Sequence, residues 1–410
     1  MVLFEEKKDC CGCGACANIC PKSAISMKED EHGFVYPYID KDKCIECGAC
    51  IKVCDLKQPV HNKEFEKKCC FAVRKDNEEL LKSTSGGLFS VIAEYFLKQN
   101  GVVFGCTAER TESGFKVFHK AVKDVKELRH IQGSKYVQSN AQVCFAEVKE
   151  YLQQGIKVLF SGTPCQVAGL KSYLRKDYDN LYTIDLICHG TPNVKLLNSF
   201  IRFIEKKYHN TIQSFNFRKK YKNRDTNTFF YFDMEMKNGK HKKMFCKLAS
   251  YYGYFLSGDI YRESCYQCKY ACSERVGDIT LGDGWGLDKL HPEYIDVNGG
   301  AIQIMYGSNS VILNTIKGEE LFNQIQNDIF YYKATFEEVS KHNHQLLEPT
   351  KKNVLRDELL NAYLRDGYEA VDKLYFSRMN KKEYIKYKFY FPLKQAFPQS
   401  WIKIIKSIKG

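Results

Sequence analysis

The sequence lacks the features of a membrane-spanning or exported chain. No uninterrupted apolar run approaches the roughly 20 residues that a helix needs to cross a bilayer. The start, MVLFEEKKDC, mixes acidic and basic side chains and has no apolar core of the kind that export signals carry. Of the 410 residues, 19 are cysteine. Thiols this numerous in a chain without an export signal favour metal binding or redox work over disulfides, so we expect a cytoplasmic protein.

The standard sequence motifs of nucleic-acid-binding proteins are also absent. A formal net charge of +13 does not by itself distinguish nucleic acid from a membrane surface or an anionic partner. Because the lysines are dispersed over most of the chain, we expect no nucleic acid partner. Basic residues concentrate only at the end, where WIKIIKSIKG places Trp401 and four isoleucines on one helical face. This composition is typical of an interfacial helix at a membrane surface, and equally of a terminal helix docked on the protein.

Two cysteine runs with the same spacing dominate the first sixty residues. The spacing is that of bacterial ferredoxins with two [4Fe-4S] clusters, in which the fourth cysteine of each run ligates the other cluster. Neighbouring glycines allow the tight loops that bring three thiolates to one cluster. Zinc sites would instead favour paired cysteines or mixtures of Cys and His. The pattern assigns Cys10, Cys13, Cys16 and Cys54 to the first cluster, and Cys44, Cys47, Cys50 and Cys20 to the second.

Beyond a charged linker, the sequence alternates between strand-like and helix-like segments, an order typical of α/β proteins. The segment 82–101 predicts an amphipathic helix that is capped by Ser83, Thr84 or Ser85 and ended by Gly101. Residues 212–247 are different, because they are rich in aromatic and alternating residues and contain an Asn-Gly hairpin signal at 238–239. They predict an antiparallel insertion.

Six motifs occur in the order found in one protein family. Together they resemble the beta subunit of coenzyme F420 hydrogenases and dehydrogenases, in the bacterial branch with a fused ferredoxin domain. The resemblance covers residues 1 to about 300. The motifs are SGGLF at 85–89, GSKYVQS at 133–139, FSGTPCQ at 160–166, DLICHG at 185–190, ESCYQC at 263–268 and GDITLGDGWG at 277–286.

This resemblance implies an FAD in the core, with a third [4Fe-4S] cluster close to it. The cluster ligands of the family match Cys165, Cys188, Cys265 and Cys268. We therefore expect an α+β chain in three parts: a ferredoxin domain at 1–62, an FAD-binding core at 66–306, and a mostly helical region with a basic amphipathic tail at 307–410. The expected partners are an external electron donor or acceptor such as ferredoxin, and a small-molecule redox substrate.

The expected FAD site combines physical reasoning with the family motifs. Two glycines at the start of a long helix offer backbone N–H groups to a pyrophosphate. A lysine in the GSKY motif could neutralise a phosphate or lie beside the flavin ring. The expected cofactor-binding residues are Ser85, Gly86, Gly87, Ser134, Lys135, Tyr136, Gly162, Thr163, Asp283 and Trp285.

The cysteines outside these sets leave several alternatives open. Cys165 could be a nucleophile with His189 as its base, rather than an iron ligand. Cys272 could complete the core cluster in place of Cys188, and Cys11 lies outside the ferredoxin register, so we expect it not to be a ligand. The remaining five cysteines lie in apolar or strand-like surroundings and are expected to be small buried residues. They are Cys69, Cys70, Cys106, Cys144 and Cys246.

The sequence thus predicts an iron–sulfur flavoprotein oxidoreductase that couples ferredoxin-type clusters to an FAD. The FAD would exchange hydride with an organic substrate, deazaflavin-like or other, which the fold does not identify. The alternatives are a non-catalytic electron-transfer subunit that feeds a separate enzyme, and a metal-stabilised interaction protein with iron but no flavin. No catalytic residue can be assigned from the sequence.

Overall fold

The structure is a computed structural model that describes residues 2–59, 62, 65–222, 225 and 230–391. The amphipathic tail predicted at the C-terminus lies outside these residues. Among the helices of the described segments, none has both the length and the apolar character needed to span a bilayer.

Residues 2–59 form a small unit that contains two short α-helices and one hairpin. Each helix directly follows a glycine with positive φ, 76° at Gly14 and 72° at Gly48, a backbone conformation that side chains disfavour. The turn therefore carries the cysteine-containing loop sharply into the helix. The elements are α1 (Ala15–Ile19), β1 (Ile25–Glu29), β2 (Val35–Ile39) and α2 (Ala49–Lys52), with β1 and β2 antiparallel.

The rest of the chain is built on an eight-stranded sheet and a separate three-stranded sheet. The strands are β3 (Lys68–Arg74), β4 (Val102–Thr111), β5 (Gly114–Val122), β6 (Val158–Gly162), β7 (Leu181–Leu186), β8 (Ile212–Asn216), β9 (Tyr231–Met236), β10 (His241–Phe245), β11 (Ile279–Asp283), β12 (Asn309–Leu313) and β13 (Ile329–Ala334). The large sheet has the order β13-β3-β12-β11-β7-β6-β4-β5. Its central strands β4, β6, β7 and β11 are parallel, and antiparallel strands border them on both sides.

Helices cover both faces of the large sheet, as in other α/β layers. Successive residues of one strand face different layers: Leu159 packs with α4, whereas Phe160 packs with α5 and α6. The helices are α3 (Asn77–Leu81), α4 (Leu88–Lys98), α5 (Phe145–Gln153), α6 (Pro164–Leu174), α7 (Val194–Tyr208), α8 (Ser250–Ser257), α9 (Leu287–Leu290), α10 (Ile316–Gln324), α11 (Phe336–Ser340), α12 (Leu355–Asp366), α13 (Tyr368–Arg378) and α14 (Lys381–Ile385). A π-helical turn, Lys386–Tyr390, follows α14.

The antiparallel insertion predicted at 212–247 is confirmed. Strands β8, β9 and β10 form a separate sheet in the order β10-β9-β8. The predicted turn joins β9 to β10, and Gly239 there has a φ of 74°. Aromatic side chains of this sheet, such as Phe232, pack with α7, α8 and α13 in one large buried cluster.

Two features differ from the expectations. The N-cap of α4 is Gly87, with a φ of 81°, and none of the three predicted hydroxyl side chains caps the helix. Ser85 instead donates its hydroxyl hydrogen to the carbonyl oxygen of Ser308 at 2.6 Å, a long-range bond that overrides the local cap. The sheet also continues past residue 306, because β12 pairs with both β3 and β11. The segment after residue 306 thus contributes β12 and β13 to the sheet with α10 between them, and α11 to α14 follow.

Candidate iron–sulfur and cofactor site

The cysteines predicted for the first ferredoxin cluster lie together. Cys16 interacts electrostatically with Cys10 and Cys54, and Cys13 interacts with Cys16. Cys54 belongs to the second run of the sequence, so its position beside the first run has the crossed arrangement of two-cluster ferredoxins. The structure thus places four thiols from both runs in one group, which we call the first thiol group.

The cysteines predicted for the second cluster also meet. Cys20, Cys44, Cys47 and Cys50 line one small cavity. The backbone N–H of Ala24 donates to Sγ of Cys20 at 3.3 Å, a contact of the kind that tunes cluster potentials. Cys47 is exposed, so this second thiol group borders solvent.

A third group of thiols forms at the carboxyl ends of two adjacent parallel strands. Cys165 follows β6 at the start of α6, and Cys188 follows β7, which pairs with β6. Cys265 and Cys268 come from the 3-10 turn at 263–267 and the residue after it. Cys188 interacts electrostatically with both of them, and Cys165 interacts with Cys268. We call these four residues the core thiol group.

Cys272 has backbone carbonyl groups as its hydrogen-bond partners. Its Sγ lies 3.3 Å from the carbonyl oxygens of both Lys269 and Glu274, to which the thiol can donate. The geometry therefore brings Cys188, rather than Cys272, into the group.

Cys11 occupies a position that the sequence does not predict. Its side chain lies beside the side chains of Cys13 and Cys165 and interacts with both of them. It therefore lies between the first thiol group and the core thiol group, which are close neighbours in this fold. The spacing of the ferredoxin motif contains no signal for this contact, because the motif says nothing of what the cysteine loop packs against.

Four thiols of the first and core groups, those of Cys10, Cys16, Cys188 and Cys268, resist ionisation on their own. Burial, together with nearby thiols, raises the pKa of Cys10 to about 11, and the pKa of Cys16 and of Cys268 to about 12. Burial also raises the pKa of Cys188. Iron–sulfur clusters bind thiolates, so a bound metal would supply the positive charge that ionises these side chains. The donor set thus fits [4Fe-4S] clusters.

A cavity of about 360 Å³ opens beside the core thiol group. Its walls include the carboxyl ends of the parallel strands β6, β7 and β11, the edge at which α/β sheets bind ligands, together with the middle of β4. The size lies within the range of small-molecule and cofactor sites. Cys188 lines this cavity, so the core thiol group and the cavity share a wall.

Nine of the ten residues that the sequence predicts to bind the cofactor line this one cavity. Gly86 is the exception, because it packs where a Cβ atom would lie 2.5 Å from the backbone nitrogen of Asn309. Its lack of a side chain serves close packing of the helix start against β12. The nine lining residues are Ser85, Gly87, Ser134, Lys135, Tyr136, Gly162, Thr163, Asp283 and Trp285.

Sequence reasoning missed an ion pair in the cavity wall. Nη1 of Arg218 donates to Oδ2 of Asp283 at 2.6 Å, and the guanidinium lies 4.1 Å from the centre of the Phe230 ring. Arg218 is buried and comes from the segment between β8 and β9. In the sequence it stands in a run of basic residues, RKK, which gives no sign of burial.

Two lysines next to the cavity are also held in unusual surroundings. Nζ of Lys135 donates to the carbonyl oxygen of Gln132 at 2.6 Å, and burial lowers its pKa to about 8. Nζ of Lys220 donates to the carbonyl oxygens of Leu80 and Ser85, and burial lowers its pKa as well. A bound anion would stabilise the charged form of either lysine.

The nucleophile alternative for Cys165 finds no partner in this geometry. A hydroxyl or thiol nucleophile needs a base within hydrogen-bond reach. In the segments that the structure describes, no hydrogen bond joins Cys165 to His189; Cys165 contacts Cys11 and lies 3.2 Å from Oγ1 of Thr163. His189 instead lines the cavity.

Four of the five cysteines expected to be small buried residues are buried: Cys69, Cys70, Cys144 and Cys246. Cys106 differs, because it is half-buried and lines the cavity.

Comparison with known proteins first defines the class. Residues 9–57 match the family model of the 4Fe-4S dicluster domain, so the chain is an iron–sulfur electron-transfer protein. Residues 155–338 match the model of the C terminus of the "Coenzyme F420 hydrogenase/dehydrogenase, beta subunit". A dicluster domain is thus followed by a region that is similar to this beta-subunit family, which confirms the resemblance found in the sequence.

The solved structures that match include a chain of the F420-reducing [NiFe] hydrogenase complex from Methanosarcina barkeri, in a xenon-derivatised form. The match has 17% sequence identity and a TM-score of 0.41, and it covers 77% of this chain and 92% of the other. A search of curated proteins found no match.

Proposed function

We propose that this chain is an iron–sulfur flavoprotein oxidoreductase in which three [4Fe-4S] clusters deliver electrons to, or take them from, an FAD in the cavity. When bound, the FAD would exchange hydride with an organic substrate while the clusters carry single electrons. The family description names coenzyme F420 hydrogenases and dehydrogenases, so a deazaflavin is one substrate class to test.

One observation carries this proposal: the core thiol group lies between the first thiol group and the cavity. Cys165 contacts Cys11 on one side, and Cys188 forms part of the cavity wall on the other. A cluster held here would be the last carrier before a cofactor in the cavity. The second thiol group, with its exposed Cys47, would meet an external partner such as ferredoxin.

The residues around the cavity support a dinucleotide. The start of α4 lies in the cavity wall, and a helix N-terminus offers backbone N–H groups and a positive dipole end to phosphates. Lys135 adds a cation at the same wall. The Arg218–Asp283 ion pair lies beside Trp285 in the cavity wall. Together these side chains can fix the orientation of a bound aromatic ring system.

Cofactor stoichiometry on anaerobically purified protein tests the proposal. We expect one FAD and about 12 iron atoms per chain, as three four-iron clusters require. Lys135→Met should lower the FAD content or affinity, whereas Lys120→Met, which removes a lysine from an ion pair on β5, should not. Protein with full iron that binds no FAD would contradict the flavoprotein proposal.

The family description as a beta subunit favours a second candidate, an electron-transfer subunit that feeds a separate enzyme. The two candidates differ in what the isolated chain does. An oxidoreductase that is complete in itself should reduce an organic acceptor when supplied with a chemical reductant. A subunit should show reduced clusters and flavin without turnover until its partner is added.

A further inference from the structure

Arg262 is a buried cation at the junction between the ferredoxin unit and the core. Its side chain is 1% exposed. In the part of the chain that the structure describes, no carboxylate lies within ion-pair distance of its guanidinium. A buried charge is costly unless it is paired, so this arginine calls for a negative partner.

Hydrogen bonds from Arg262 join the two units. Nε donates to the carbonyl oxygen of Cys10 at 2.9 Å, and Nη2 donates to that of Val35 at 2.8 Å, both in the ferredoxin unit. Nη1 donates to Oε1 of Gln138 at 3.2 Å, in the core. The guanidinium also lies 4.0 Å from the centre of the Tyr36 ring. These neutral partners fix the position of the cation but do not balance its charge.

Cysteines of the first and the core thiol groups lie on either side of Arg262. Its Nε bonds the carbonyl oxygen of Cys10, and its own carbonyl oxygen accepts the N–H of Cys265 at 3.0 Å. Next to Cys11, a Cβ atom on Gly12 would lie 3.0 Å from Cζ of Arg262. A [4Fe-4S] cluster with four thiolate ligands is negatively charged, and its reduction adds one more negative charge. One arginine thus faces both places where such charge would accumulate.

We propose that Arg262 is a shared counter-charge for the first ferredoxin cluster and the core cluster, and that it raises the reduction potential of both. The half of this proposal that concerns the core cluster rests on the proposed function. A fixed positive charge favours the reduced state of a cluster. Arg262 would therefore increase the population of the reduced form of both clusters at a given potential. It acts as a positioning and tuning residue and touches no substrate.

The test is a redox titration of the reconstituted full chain, followed by electron paramagnetic resonance. In Arg262→Gln the reduction equilibria of the first and core clusters should shift about tenfold toward the oxidised state, which is about 59 mV for one electron. The second cluster, whose cysteines line a separate cavity, serves as an internal reference. Arg262→Lys keeps the charge and should restore most of the potential.

Two further variants separate charge from packing. Arg356→Gln removes another buried arginine, but one that is paired with Glu263 and Asp357, so it should leave the potentials unchanged. Gln138→Glu places a carboxylate against the Arg262 guanidinium, at the cost of the bond from Gln138 to the carbonyl oxygen of Cys11. Gln138→Glu keeps Arg262 and should lower the reduction potentials of the first cluster and the core cluster. This variant therefore provides the test if Arg262→Gln cannot be loaded with iron.

Unchanged potentials in Arg262→Gln and Gln138→Glu, with full iron content, would overturn the proposal. Equal losses in Arg262→Lys and Arg262→Gln would show that the arginine matters as a clamp and not as a charge. A wild-type chain with only about eight iron atoms would remove the core cluster and the proposed function with it, yet the shift of the first cluster would still test Arg262.

Discussion

Replacing Cys165 by serine tests the core thiol group most directly. The side chain lies at the start of α6 and interacts with Cys268, so a cluster bound by this group would lose one of its four ligands. A hydroxyl is a harder and poorer ligand for iron–sulfur clusters than a thiolate. We therefore expect Cys165→Ser to lose about four of about 12 iron atoms, the content of one cluster.

The two ferredoxin clusters should remain in this variant, because the first and second thiol groups contain none of the core cysteines. The FAD should remain bound, but its reduction from the ferredoxin side should slow strongly, since the last carrier before the cavity is missing. Iron and sulfide counts give the cluster content. Stopped-flow absorbance under anaerobic conditions gives the rate of flavin reduction.

Cys272→Ser and Cys188→Ser are the matched controls. The Cys272 thiol faces the carbonyl oxygens of Lys269 and Glu274, so its replacement should leave the iron content unchanged. Cys188→Ser should lose about four iron atoms, like Cys165→Ser. Full iron and normal flavin reduction in Cys165→Ser, with substrate turnover alone abolished, would refute the ligand assignment and favour the nucleophile.

Two further predictions concern the cavity. Because burial lowers the pKa of Lys135 to about 8 and a bound anion would raise it, FAD affinity should be constant below pH 8 and fall above it. Isothermal titration across pH 7–10 should show this fall, and Lys135→Met should remove it; a fall of equal size in the variant would contradict the assignment. Gly86→Ala should destabilise the protein by about 1–3 kcal/mol, since the new Cβ would lie 2.5 Å and 2.6 Å from backbone atoms of Asn309 and Ala72. In denaturant unfolding, Gly162→Ala should cost less, because its Cβ would meet side-chain atoms at 3.1–3.2 Å and no backbone atom is among these nearest neighbours.

The ferredoxin unit is the part of the chain that its sequence predicts best. Cluster ligation imposes a fixed spacing on the cysteines, and the loop before each helix requires a glycine. Both constraints are therefore visible as short local patterns in the sequence. The sequence predicts the antiparallel insertion equally well, from its alternating pattern and its hairpin turn.

Features that depend on contacts between distant segments have no such local sequence pattern. Cys11 and Arg262 acquire their surroundings only when the ferredoxin unit packs on the core. The start of α4 is decided by Asn309, whose Oδ1 accepts the N–H of Leu88 at 3.2 Å, and not by the hydroxyl residues before the helix. Strand β12 lies in the middle of the sheet although it follows β11 by a long connection. In each case a contact across more than a hundred residues, or a pairing choice among strands, outweighs the local pattern.

The segment from β6 through α6 explains why the cavity, the core thiol group and the first thiol group are neighbours. Gly162 and Thr163, at the end of the strand and the cap of the helix, line the cavity. Cys165, two residues on, belongs to the core thiol group. One turn later Gly169 faces the ferredoxin unit, where an added Cβ would lie 2.8 Å from Cβ of Cys13. The absence of a side chain at this position lets the first cysteine loop approach the helix closely. A single strand–turn–helix thus sets the spacing between the first thiol group, the core thiol group and the cavity, and a change in its length would alter every step of the proposed electron path.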